Sequence, residues 1–239
     1  MIRFSSLLII LALVLLIPDI ATAQSVDIGP EETSGVIRTA VLLTVLAIIP
    51  SLFITMTCFM RIAIVLSMVR HAFGMPETPP NPVIISLSIF LTFFVMAPVF
   101  NQINHSSLQP FLDGSVSVEE AVEQGAGPLK DYMLSQVKDS DIVLMYNLAE
   151  VELPDEPEDV SLVYLTPAFI LNELRVAFTI GFIILLPFLL IDLVVSSILL
   201  SLGMMMVPPA TISLPIKLLM FVVIDGWALV IEGLIGGIL

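Results

Sequence analysis

The sequence has 239 residues, of which 58% are hydrophobic and 13% charged, and its mean hydropathy is +1.08. Soluble domains carry about 25% charged residues, so this composition indicates an integral membrane protein. The net charge of −14 argues against a nucleic-acid partner, because contact with phosphates requires positive charge. One cysteine and two histidines are too few for a disulfide framework or a metal site, and we expect no cofactor.

Residues 1–23 have the pattern of a cleavable signal peptide. Arg3 precedes an unbroken apolar run over residues 7–17, and Ala21 and Ala23 form a small-x-small cleavage site. The alternative is an uncleaved first span, but the apolar run is shorter than the ~20 residues that a transmembrane helix needs. Cleavage would leave residues 24–36 as a short extracytoplasmic tail.

We therefore expect N-terminal sequencing of the protein extracted from membranes to begin at Gln24. The reason is that the small side chains of Ala21 and Ala23 define the cut that follows Ala23. A mature protein that still carries Met1 would contradict this prediction and would remove the basis for an extracytoplasmic N-terminus.

Residues 37–100 predict the first of two hydrophobic helical hairpins. Its helices, over residues 37–69 and 83–100, are joined by a connector with four prolines, which cannot be helical. At ~1.5 Å per residue the first helix is about 50 Å long, which exceeds the ~30 Å bilayer core. Pro50 is predicted to kink it.

Residues 101–166 predict a small helical insertion outside the membrane. They contain thirteen Asp and Glu residues against two lysines, a charge that we interpret as solvation rather than as a binding site. Ser117 and Glu120 have the capping-box spacing of a helix start, Gly125 is predicted to end that helix, and Pro128 is predicted to begin the next. With the mature N-terminus outside, this insertion lies on the periplasmic side.

Residues 167–239 predict the second hairpin. Its first helix runs to about residue 206 with an interruption at Pro187, and its second helix covers about residues 214–235. Three methionines lie at the end of the first helix, and a double proline follows them. Each half of the chain thus has a long helix, a proline-containing connector and a shorter helix, a plan that duplicated secondary transporters share.

Six ionisable residues lie within the apolar helices, where an unpaired charge is costly. We expect them to be structural and to pair across helices or between subunits, since removal of one partner leaves the other charge buried. They are Arg61, Glu173, Arg175, Asp192, Lys217 and Asp225.

Small and polar residues recur on one face of several predicted helices. Such residues let helices approach closely and form interhelical hydrogen bonds. Their hydroxyls can equally bond back to the carbonyls of their own helix. The predicted packing positions are Thr44, Ser51, Thr55, Gly181, Ser196, Gly226 and Gly233.

No phosphate-binding loop, dinucleotide fingerprint, HExxH or GxSxG motif occurs. Asp192 and Asp225, on successive helices, could in principle form the carboxylate pair of an intramembrane protease. No recognisable protease motif surrounds them and Lys217 offers a charge partner, so we expect no enzymatic activity. A secondary transporter or channel subunit for a small solute is the alternative function, suggested by the two-halved plan and the intramembrane acids.

Three long blocks of the sequence are MTCFMRIAIVLSMVRHAFG (56–74), PPNPVIISLSIFLTFFVMAPVF (79–100) and a run over residues 166–227 that ends with LGMMMVPPATISLPIKLLMFVVIDGW. Together they closely resemble the FliP family of export-gate membrane proteins. Asn172 and Arg175 depart from the family, in which Ser and Lys are expected.

This resemblance implies a pore-forming core subunit of the flagellar type III export gate in the bacterial inner membrane. It implies a homo-oligomer, expected to be a pentamer, that associates with FliQ and FliR and passes unfolded rod, hook and filament proteins. It also implies that Met204, Met205 and Met206 form a pore gasket. The residues alone leave open whether these methionines fill an irregular core at a helix end instead.

Overall fold

The computed structural model describes residues 43, 47, 50–75 and 77–238. This part of the chain consists of helices joined by turns and loops and contains no strand, which confirms the predicted all-α membrane fold. The predicted signal peptide, the tail after it and Thr44 lie outside the described residues. The domain boundaries proposed from the sequence stay predictions.

Nine α-helices follow one another within the described residues. They are α1 (Pro50–Met56), α2 (Phe59–Ala72), α3 (Asn81–Ile103), α4 (Gln109–Leu112), α5 (Val118–Gln136), α6 (Asp139–Leu148), α7 (Leu162–Ser201), α8 (Pro209–Val223) and α9 (Gly226–Ile235). A π-helical turn (Asn104–Leu108) joins α3 to α4, and a 3₁₀ turn (Pro157–Asp159) precedes α7.

Two helical stretches in the described part of the chain are long and apolar enough to cross a membrane. One is Asn81–Leu112, which includes α3 and α4, and the other is α7. Two bent pairs, α1 with α2 and α8 with α9, bring the number to four if each pair forms one span. The number agrees with the four hydrophobic helices expected from the sequence.

The first hydrophobic run bends sharply at a polar residue. α1 and α2 are inclined by 75°, and between them Thr57 Oγ1 donates to the carbonyl of Phe53 (2.6 Å) and accepts from the amide of Phe59 (3.3 Å). The bend therefore lies at Thr57, a position that the sequence did not predict. The kink predicted at Pro50 stays a prediction, because the residues just before Pro50 lie outside the described part of the chain. α7, by contrast, stays helical through Pro187 although the proline removes one backbone bond, so the interruption predicted there is wrong.

The last hydrophobic run, expected as one helix, is two helices. α8 and α9 are inclined by 67°, and Asp225 between them has a φ of 50°. This left-handed conformation cannot continue a right-handed helix. The break therefore comes from the backbone of a single acidic residue, for which the apolar pattern gave no signal.

The acidic insertion is helical, as predicted. Its capping box is present, since Ser117 Oγ accepts from the amide of Glu120 (3.2 Å) and the Glu120 carboxylate accepts from the amide of Ser117 (2.9 Å). α5 then continues through Gly125 and Pro128, so the predicted helix end and new start there are wrong. Gly125 is a close-packing position instead, because a Cβ atom there would lie 3.1 Å from Ser107 Oγ.

α7 is the central element because it contributes to both hydrophobic clusters. Its 40 residues extend over about 60 Å. The first part packs with α5 and α6 around Met133, Tyr146 and Phe169. The following part packs with α2, α8 and α9 around Phe188 and Phe221. Charged residues of α7 can consequently pair with α6 of the insertion and with the neighbouring helices α2 and α8.

Candidate functional site

Arg61 and Glu173 form an ion pair inside the helix bundle. Each side chain is about 1% exposed. Arg61 Nε donates to Glu173 Oε2 over 2.9 Å, and Nη2 donates to Oε1, so the pair is bidentate. Because Arg61 belongs to α2 and Glu173 to α7, the pair joins the two predicted hairpins within one chain.

Further polar groups extend this ion pair to a buried hydrogen-bond network. Arg61 Nη1 donates to the carbonyl of Gly237 and Nη2 to Gln136 Oε1, each over 3.2 Å. Gln136 Nε2 donates to the carbonyl of Ile238 (3.3 Å), and the Gln136 carbonyl accepts from Asn172 Nδ2 (2.8 Å). The network therefore connects α2, α5, α7 and the residues that follow α9.

A second ion pair links the two helices that flank the methionine loop. Lys217 Nζ in α8 lies 2.5 Å from Asp192 Oδ2 in α7 and 3.2 Å from the carbonyl oxygen of Ala72. Ala72 is the last residue of α2, so the ammonium also satisfies a carbonyl that has no partner within its helix and interacts favourably with the helix dipole. Lys217 thus ties α8 to both α7 and α2.

A third ion pair attaches the acidic insertion to α7. Arg175 Nη1 and Nη2 donate to the two carboxylate oxygens of Asp141 over 2.6 and 2.8 Å. The Asp141 side chain is buried although the Arg175 side chain is 41% exposed. Asp141 therefore has a structural role, whereas the sequence analysis interprets all the acids of the insertion as solvated side chains.

Asp225 takes part in none of the ion pairs found in the described residues, and it is exposed. Asp192 is engaged by Lys217. The contacts of these two acids therefore do not assemble the carboxylate pair of the protease alternative. Within the described residues, no three His, Cys, Asp or Glu side chains lie close enough together to hold a metal ion.

Two of the predicted packing glycines lie where a larger residue would clash. A Cβ atom at Gly181 in α7 would overlap the side chain of Met68 in α2, and a Cβ atom at Gly226 in α9 would overlap the ring of Phe221 in α8. These glycines allow α7 to approach α2 and α9 to approach α8.

The other described packing positions make fewer contacts inside this chain. Thr55 donates to the carbonyl of Ser51 over 2.9 Å, the bond back to its own helix that the sequence left open. Ser196 is half-buried, and Ser51 and Gly233 are exposed. Apart from the backbone of α9 itself, no atom of the described residues lies within 4 Å of a Cβ atom built at Gly233, so this position is open to contacts with another molecule.

The methionines occupy the loop between α7 and α8. Gly203, with a φ of +72°, turns the chain away from the end of α7. The exposed fractions are 43% for Met204, 79% for Met205 and 96% for Met206. The methionines therefore belong to neither hydrophobic cluster of this chain and point away from its core.

Several residues of the buried network had no separate sequence prediction. Gln136 and Asp141 were read as ordinary residues of a solvated insertion, and backbone acceptors such as Gly237 carry no side-chain signal at all. The available signal was indirect, since Arg61 and Arg175 in apolar helices each required an acceptor. Tyr132, one turn before Gln136, is half-buried with its hydroxyl oxygen inside the protein, and burial raises the pKa of this phenol.

The chain matches the model of the FliP family over residues 42–234. It is 46% identical over 206 residues to the flagellar biosynthetic protein FliP of Bacillus subtilis, a match that covers 86% of this chain and 93% of that protein. Identity to the flagellar biosynthetic protein FliP of Pectobacterium carotovorum is 48% over 218 residues (91% and 84%). For that of Caulobacter vibrioides it is 45% over 225 residues (92% and 85%). With this extent of similarity, the chain belongs to the FliP family.

Proposed function

We propose that the chain is a pore-forming subunit of the flagellar type III protein export gate in the bacterial inner membrane. Several copies, expected as a pentamer, would associate with FliQ, FliR and other export-apparatus membrane proteins around a path for unfolded rod, hook and filament proteins. The names of its relatives as flagellar biosynthetic proteins support this role, as do the apolar helices. The acidic insertion would face the periplasm at the flagellar basal body.

The observation that carries this proposal is an exposed methionine loop between two anchored helices. The ion pair of Asp192 with Lys217 holds α7 to α8, while the methionines themselves are exposed. A ring of copies would bring many such side chains around one axis. A constriction lined by methionine can exclude water and ions, and the flexible thioether chains can repack around varied cargo.

This role requires no catalytic group in the chain. The Asp192 carboxylate is occupied by the Lys217 ammonium, and the remaining buried charges bind one another or backbone carbonyls. We therefore assign the ionisable residues to holding the helices in place, which leaves the loop as the part that meets cargo.

Replacement of Met204, Met205 and Met206 together by alanine should raise ion leak through the resting gate, because the shorter side chains would leave a wider and wetter constriction. Ion flux is measured in membranes that contain the assembled complex. Membrane insertion and oligomer size should not change, since the loop contributes to neither hydrophobic cluster.

The matched control replaces the same three methionines by leucine, which keeps their apolar character and approximate volume and should preserve the seal. An alanine variant that assembles normally and leaks no more than wild type would place the seal elsewhere.

A further inference from the structure

An apolar cavity opens where the proline-rich connector meets α2, α3 and α9. Its volume is about 290 Å³, close to the lower end of the ~300–1,000 Å³ range of ligand pockets. Its walls are formed chiefly by Leu66, Val83, Ile84, Leu87 and Trp227. Among the described residues no charged side chain lines it, so its interior suits a hydrocarbon chain rather than a polar molecule.

Arg70 lies beside this cavity, in the last turn of α2. Its Nη1 donates to Asn81 Oδ1 (2.6 Å) and to the carbonyl of Pro79 (3.4 Å), and Pro79 also lines the cavity. Arg70 Nε is buried and has no hydrogen-bond partner. In the part of the chain that the structure describes, no acceptor engages Nη2 either. A shielded donor of this kind calls for an acceptor other than bulk water.

The Nε and Nη2 atoms form one edge of the Arg70 guanidinium, and the same edge of Arg61 shows how it can bind two oxygens. Arg61 uses its Nε and Nη2 atoms together to hold the Glu173 carboxylate. On Arg70 the same two atoms face no carboxylate. Phosphate oxygens accept from a guanidinium as carboxylate oxygens do, because the fork is planar and doubly donating. Since Nε is buried, the phosphate would reach this edge through Nη2.

The position of the cavity agrees with a lipid headgroup beside Arg70. α2 ends and α3 begins at this connector, so Arg70 lies at the end of two hydrophobic runs. Arginine and tryptophan are typical of the boundary between membrane and water, and Trp227 is exposed on the cavity wall. Basic pockets between membrane helices recognise anionic headgroups.

We propose that this cavity and Arg70 bind one anionic phospholipid, with an acyl chain in the cavity and the phosphate on the guanidinium. The proposal requires only that the chain is embedded in a membrane. It does not rest on the export-gate role, so a failure of either leaves the other intact.

The test is native mass spectrometry of the full-length protein in non-ionic detergent, titrated with dioleoylphosphatidylglycerol or dioleoylphosphatidylcholine. Wild type should retain phosphatidylglycerol in preference to phosphatidylcholine. Arg70→Gln should weaken phosphatidylglycerol binding about tenfold or more, the factor expected for loss of charged hydrogen bonds. Val83→Trp, at an exposed position on the cavity rim, should block the acyl chain and weaken binding similarly.

Matched controls carry the same changes elsewhere on the surface. Lys138→Gln removes an exposed cation of the insertion, and Val163→Trp adds an indole at an exposed position of α7. Both should bind phosphatidylglycerol as wild type does. Equal binding of the two lipids by wild type, or undiminished phosphatidylglycerol binding by Arg70→Gln, would overturn the proposal. A Val83→Trp protein with unchanged lipid binding but altered oligomeric mass would assign the cavity to a contact between copies and would also overturn it.

Discussion

Arg61→Met should destabilise the protein by about 3–5 kcal/mol, because it leaves the Glu173 carboxylate buried without its cation. The acceptors at Gln136 and Gly237 lose their donor at the same time. The single tryptophan, Trp227, allows unfolding of the detergent-solubilised protein to be followed by fluorescence. The yield of oligomer should fall with stability, while membrane insertion, which depends on the apolar runs, should change less.

A double variant tests whether the cost comes from the unpaired charge. Arg61→Met combined with Glu173→Met should be much more stable than the sum of the two single effects predicts, because an apolar pair can replace a buried ion pair at little cost. Lys130→Met is the control, since this half-buried cation donates to the backbone carbonyl of Glu158 and forms no ion pair within the described residues. Its replacement should cost about 1 kcal/mol or less, the net value of one hydrogen bond. Strictly additive single effects, or an Arg61 variant as stable as the Lys130 variant, would contradict this account.

Gly226→Ala should disrupt the packing of α9 on α8 and cost about 1–3 kcal/mol, the range of overpacked core substitutions. The added methyl group would overlap the ring of Phe221. That ring cannot move aside easily, because it packs edge-on against Phe73 and Trp227, with ring centroids 4.7 and 5.4 Å away. Because Trp227 lies in this cluster, its emission spectrum should shift together with the loss of stability.

Gly233→Ala is the matched control in the same helix. In the part of the chain that the structure describes, nothing beyond the backbone of α9 lies within 4 Å of the added methyl group, so the change should stabilise α9 by up to about 1 kcal/mol through helix propensity. A Gly226 variant as stable as the Gly233 variant would show that Phe221 can shift aside at little cost. A Gly233 variant that folds normally but loses oligomer would support the packing role between subunits predicted for this glycine.

The fold class could be predicted from the sequence because apolar length and sparse charge leave few options in a membrane. The loop of methionines could also be located, since Gly203 and the double proline end the helices on either side of it. The sites of the helix breaks could not be located. α7 continues through Pro187, whereas the other two runs bend at Thr57 and at the left-handed backbone of Asp225.

The charged residues of the site could be predicted one by one, but their partners could not. An arginine in an apolar helix requires an acceptor, which identifies Arg61 and Arg175. Arg175 pairs with Asp141, one of thirteen acids in the insertion, because of the way α6 packs against α7. Nothing in the sequence around Asp141 distinguishes it from the other twelve acids. Backbone acceptors such as the carbonyl of Gly237 depend on the tertiary structure alone.

The long sequence separations within the Arg61 network also determine when it can form during synthesis. Glu173 follows Arg61 by 112 residues and Gly237 follows it by 176. At ~5–20 residues per second, the carboxylate is made roughly 6–22 s after the guanidinium, and the last carbonyl roughly 9–35 s after it. Throughout that interval Arg61 lies in an apolar segment without its final acceptors, where its long side chain can reach toward the membrane surface. Entry of the first hairpin into the membrane and closure of the bundle are therefore separate events during synthesis, and the second cannot occur before residue 237 has been made.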